Sequence, residues 1–146
     1  MELRPYEYRD PARLIAEVAG RTPLTEDTAY VVLVDRPATE QRIVTLRRLR
    51  TPALVDDYED ARAELYDVMQ TLPIPDHPHP LDHSVMTIVV RPGPCVFGPN
   101  ESCWFMAWRY SNHLTNAYSG DLILVTEHGW CDFMTYEAGH SPVMAA

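Results

Sequence analysis

The sequence predicts an α/β (α+β) domain, a mixed central sheet of about five strands carrying three helices. Three observations predict it. Ala29–Asp35 (AYVVLVD) and Val85–Val90 (VMTIVV) are apolar without alternation, the pattern of strands covered on both faces. Between them, Tyr58, Ala61, Leu65, Val68 and Leu72 recur at helical spacing. The segments run helix, two strands, helix, strand, helix, two strands, an order suited to helices laid on a sheet.

Each element has a local reason. Asp10 is placed to cap the first helix, Pro11 suits its first position, and Leu14, Ile15 and Val18 form its apolar face. Gly20 suits its stop. Ala29–Asp35 and Gln41–Leu49 (QRIVTLRRL), joined by the turn Arg36–Glu40, form an antiparallel pair. The arginines of the second strand put it at an edge or give it one wet face. Asp56 or Asp57 caps a helix that runs to about Thr71. Pro73–His83 (PIPDHPHPLDH) is too rich in proline for a helix or a central strand and reads as an exposed loop. Val85–Val90 follows as a strand. The next helix is expected from Glu101 to about Tyr118, with Trp104, Phe105, Trp108 and Tyr118 as core candidates and Gly120 as its stop. Asp121–Thr126, the turn Glu127–Gly129 and Trp130–Tyr136 close the sheet as a hairpin. Residues 137–146 have no periodicity.

A chain of 146 residues is one domain by length and can bury a core. We divide it into an N-terminal helical segment (1–25), a core (26–139) and a tail (140–146). No apolar run is long enough to span a membrane, and the N-terminus shows no apolar signal region, so a cytoplasmic protein is expected. A net charge of −9 argues against nucleic acid as a bulk electrostatic partner. Arg42, Arg47, Arg48 and Arg50 still offer one basic patch. All twelve basic residues are arginine, which reads as the codon bias of a GC-rich bacterial genome. Cys95, Cys103 and Cys131 have no C-x-x-C spacing and read as buried thiols.

Val85–Trp104 is the strand end, loop and helix start where an α/β protein places its chemistry. Its loop, Arg91-Pro92-Gly93-Pro94-Cys95, carries no histidine, and the segment's only acid is Glu101. There is no phosphate-binding glycine loop and no Gly-x-Ser-x-Gly. His77-Pro78-His79-Pro80 contains His-x-His-Pro, but an aspartate ten or eleven residues on would fall at Val89 or Val90. His77, His79 and His83 are therefore weak metal candidates. Cys95, on the loop, is the candidate nucleophile. Cys103 has His113 ten residues along the same helix, too far for a direct partner. Among the acids, Glu26 and Asp27 stand before the first strand and are the candidate bases, while Asp56, Asp57, Glu59 and Asp60 read as caps and solvated positions.

Several stretches resemble the JAB/MPN fold and, within it, RadC-like proteins. Asp27–Asp35 resembles that family's first core strand, which a Glu precedes. Gln41–Val44 is similar to its partner strand, and Val55–Ala61 to the start of the following helix. Asp121–Val125, then Gly129, Trp130 and Phe133, resembles the closing hairpin. The resemblance implies a zinc site built from His-x-His-Pro and Ser-x-x-Asp, with a Glu as general base. At the matching positions stand Arg91, Gly93, Pro94 and Cys95, then Asn100 and Glu101, with Asp27 or Glu26 at the base. Only the proline is kept. The resemblance therefore implies a non-catalytic domain without cofactor or metal, acting on a protein partner or as a homo-oligomer. Arg91 is expected to neutralise Asp27 or Glu26. The alternatives are a hydrolase with a relocated metal or cysteine site, and a nucleic-acid-associated accessory protein.

Overall fold

The computed structural model describes residues 2–75, 81–111 and 116–146. In chain order the elements are α1 (Pro11–Arg21), β1 (Thr28–Asp35), β2 (Arg42–Arg48), α2 (Tyr58–Thr71), β3 (His83–Val90), α3 (Pro99–Ser111), β4 (Tyr118–Thr126), β5 (Gly129–Asp132) and β6 (Ala138–Gly139). The strands form one mixed sheet in the order β2-β1-β3-β4-β5-β6. Only β3 and β4 pair in parallel, and α3 connects them.

The uniform apolar runs have the expected cause. All eight residues of β1 and all eight of β3 are buried, because each strand is central and both faces are covered. Ala29, Val31 and Leu33 face one core with Leu65 of α2 and Trp104 of α3. Tyr30, Val32 and Val34 face the other, with Leu14, Ile15 and Val18 of α1. The domain is therefore three layers, α1 on one side and α2 with α3 on the other. Trp104 is fully buried and its indole N–H donates to the Ala53 carbonyl at 2.8 Å. Both helix caps expected from sequence form, with Asp10 accepting from the Arg13 amide at 3.1 Å and Asp57 from the Glu59 amide at 3.0 Å.

Five boundaries differ from expectation. α1 runs through Gly20 and ends at Arg21, its last turn closed by the Thr22 amide on the Val18 carbonyl. His83 is the first residue of β3, buried and paired with Asp35, rather than part of an exposed loop. α3 is described to Ser111, and Tyr118 and Gly120 belong to β4, because Tyr118 and Ser119 pair with Ser84 and Val85. β5 stops at Asp132, whose carboxylate accepts from the Met134 and Thr135 amides and turns the chain out of the sheet. The tail supplies a sixth strand, β6, beside β5. That last pairing depends on Gly129, at φ +130°, where a Cβ would lie 2.1 Å from the Gly139 carbonyl oxygen. His77 and His79 lie outside the described residues.

Candidate functional site

The strand-to-helix corner gathers the residues that the sequence singles out. β3 ends at Val90, whose carbonyl accepts from the Asp27 amide at 2.9 Å. Arg91 then turns toward α3. Its Nε donates to Glu101 Oε2 at 2.8 Å and its Nη2 to Glu101 Oε1 at 2.7 Å, a two-point pair on a carboxylate that is 0% exposed. The same guanidinium donates to the carbonyls of Pro92, Pro94 and Val96, so it also shapes the loop it begins. Glu101 accepts further from the Gly98 amide and the Asn100 side chain. Burial alone would push Glu101 up, but the donors from Arg91, Asn100 and Gly98 outweigh it and hold the carboxyl below its usual range.

The expected pairing of Arg91 with Asp27 or Glu26 is therefore replaced by Glu101. Asp27 has a left-handed φ of 61°, and its carboxylate accepts from the Leu54 amide at 3.1 Å. Glu26 is exposed. Asn100 connects the two halves of the corner. It donates to the Ala53 carbonyl at 2.8 Å and accepts from the Val55 amide at 2.8 Å, and the Ala53 amide returns to the Asp27 carbonyl. Gly93, at φ 108°, donates its amide to Glu127 at 3.0 Å. The corner is a set of mutually satisfied groups.

Cys95, the candidate nucleophile, has its Sγ 3.4 Å from Cys131 Sγ, and no histidine contacts it among the described residues. Burial, then the contact with Cys95, pushes the Cys131 thiol up to about 12. Neither feature activates a thiolate.

At the opposite end of β3, His83 lies between two acids. Its Nδ1 is 2.6 Å from Asp82 Oδ1 and its Nε2 is 3.7 Å from Asp35 Oδ1. The ligand atoms of these three residues all fall within 4.8 Å of one another, so they form the metal-capable group among the described residues. Asp35 is already compensated by Arg42 at 3.1 Å and by Arg36 at 3.8 Å. We read the group as a polar tie between the end of β1 and the start of β3.

On the other face of that end lies a site the sequence does not announce. Asp121 begins the apolar part of β4 and Asp132 ends β5. Register pairs Asp132 with Ile123, which points to the α1 side. Asp121, two residues before Ile123, shares that face. Asp121 is 6% exposed and Asp132 is 0% exposed. Asp121 Oδ1 and Asp132 Oδ2 receive no donor from the described residues. Burial first, then the hydrogen bond and negative charge of Asp132, pushes the Asp121 carboxyl up to about 9. A proton retained on Asp121 lets each carboxyl satisfy the other. Tyr8, buried above them, exchanges a 2.9 Å hydrogen bond with Ser84, and burial keeps its phenol protonated. Asp121 lines a cavity of about 380 Å³ that opens between the N-terminal segment and the turn after β5. In the sequence Asp121 reads as the first residue of one strand and Asp132 as an interior residue of the next. Only the β4–β5 register brings them together.

No family model, no curated protein and no solved structure matches this chain.

Proposed function

We propose that this chain is a non-catalytic binding domain that acts on a protein partner. The observation that carries the reading is the Arg91–Glu101 pair. At the corner where an α/β enzyme would present open ligands or a nucleophile, a guanidinium and a carboxylate neutralise each other and use their remaining capacity on the surrounding loop. On this reading, kinship with JAB/MPN and RadC-like proteins is of a kind in which an internal ion pair stands in for the metal. The face offered to a partner is the outer side of α3. There Phe105, Met106 and Tyr110 are 39%, 40% and 45% exposed, enough apolar surface to anchor a contact. Phe105 is held stacked on Phe133 at 5.0 Å, which presents it as a rigid surface. The net charge of −9 favours a partner with a basic face.

Two measurements test this. Metal analysis of the purified protein is expected to find no stoichiometric zinc, and zinc lost on replacing Asp27 or a histidine would overturn the non-catalytic reading. Affinity capture should retain one basic protein on the wild type and lose it on Phe105→Asp/Tyr110→Asp, with the fold of that variant verified by circular dichroism. Equal capture by both would remove the α3 face from the proposal.

A further inference from the structure

The cavity beside Asp121 is remote from the α3 face and is built for something small. Its wall includes the rings of Tyr6 and Tyr8 and the thioether of Met134. Its acidic groups are graded in burial. Glu137 is exposed, Glu7 is half-buried, and Asp121 is almost wholly enclosed. No arginine or histidine is among the lining residues. Asp121 Oδ1 has no donor from the described protein. Buried carboxyl oxygens in this state ordinarily find a donor, because an unmet acceptor is costly. Aromatic walls also favour positive charge through the ring faces. The Tyr6 hydroxyl accepts from Arg4 Nη1 at 2.8 Å.

We propose that this cavity binds a small organic cation, an ammonium or guanidinium on a short apolar stem, with Asp121 receiving its N–H groups and Asp132 buried behind it. The stem lies against Tyr6, Tyr8 and Met134. Glu7 and Glu137 attract the charge at the entrance. Such a ligand donates to Asp121 Oδ1 and takes the place of the proton that the two carboxyls share. Binding therefore expels one proton from the Asp121–Asp132 pair to solvent, while the ligand keeps its own charge. The groups facing that pair are Tyr8 and Ser84, whose hydroxyls keep their protons. The expelled proton is therefore assigned to the pair. The cation can come as a free amine or as an arginine side chain of a peptide, and the test separates the two.

Calorimetry at pH 7 with butylammonium, with N-acetyl-Gly-Arg-Gly-amide and with neutral butanol decides it. The expected result is binding of one or both cations with 1:1 stoichiometry and no binding of butanol. About one proton should be released per event, read from two buffers of different ionisation enthalpy. Affinity should rise with pH between 6 and 8, by up to about tenfold per unit. Binding of the amine alone identifies a free amine as the ligand class, and binding of the peptide alone identifies a side chain. Asp121→Asn should weaken binding about tenfold or more and abolish the proton release. If that variant does not fold, the proton count and pH slope of the wild type carry the decision. No cation bound at ~10 mM, or binding without proton release, would overturn the proposal.

Discussion

The two ends of the β3–β4 pair solve the same problem in opposite ways. At one end Glu101 is buried opposite a guanidinium, and at the other Asp121 is buried opposite a second carboxyl. A buried acid with a cation stays charged and becomes a structural fixture. A buried acid with another acid keeps a proton and remains responsive to what surrounds it. The corner that resembles an active site is thus the rigid end, and the end without a motif is the chemically open one.

The comparison can be broken most directly at the rigid end. Glu101→Ala or Arg91→Ala strands one charge in the interior and should cost about 3–5 kcal/mol in urea unfolding. Arg91→Met/Glu101→Leu removes both charges and should recover much of that loss, though the loop keeps none of its guanidinium-to-carbonyl bonds. If the double variant is as unstable as either single one, loop anchoring rather than charge pairing dominates.

The open end predicts a smaller effect with a distinct pH signature. The pKa of Asp121 is raised on folding, so the folded chain holds a proton that the unfolded chain releases. This contribution is complete below about 3.8, and it is lost as pH rises toward about 9. Glu101 works in reverse. Its folded pKa lies below 4.5, so its contribution is present above that value and lost as pH falls through the folded one. Asp121→Asn should therefore raise stability by ~2 kcal/mol at pH 8.5 and flatten the alkaline limb of a melting profile, leaving the acid limb unchanged. An unchanged alkaline limb would show that the two aspartates do not share a proton.

The smallest expected effect sharpens the assignment of Arg91. Asp27→Asn retains an acceptor for the Leu54 amide, and asparagine tolerates the left-handed φ. Stability should change by less than about 0.5 kcal/mol. A loss comparable to that of Glu101→Ala would mean that Asp27 belongs to the ion pair after all.

What was legible in the sequence follows from the range of the interactions involved. β1 and β3 were legible because burial on both faces writes a uniform apolar run. The caps act on amides two or three residues away, so local pattern gives Asp10 and narrows the second cap to Asp56 or Asp57, of which the structure uses Asp57. The far end of α3 was misplaced because its apolar spacing continues to Tyr118, while pairing with Ser84 draws that residue into β4. The place of Arg91 at the corner is readable from the end of the β3 run, but its partner is not. Its partner was misassigned because the first turn of α3 brings Glu101 onto the guanidinium, whereas the Asp27 carboxylate is taken by Leu54. Asp121 and Asp132 read in the sequence only as strand residues and not as site candidates. They are eleven positions apart, and a strand register, which has no local signature, places them on one face.

The two margins of the sheet have a consequence for how the molecule meets others. The outer strand β2 presents Arg42 and Arg48 as exposed residues and is interrupted by a bulge opposite Leu33 and Val34. The other margin, β6, is two residues long, and the chain beyond it folds back so that Met144 and Ala145 donate to the Thr126 and Leu24 carbonyls. Neither margin offers a long flat ladder to a foreign strand. The protein is thereby guarded against fibrillar stacking by edge-to-edge pairing of copies.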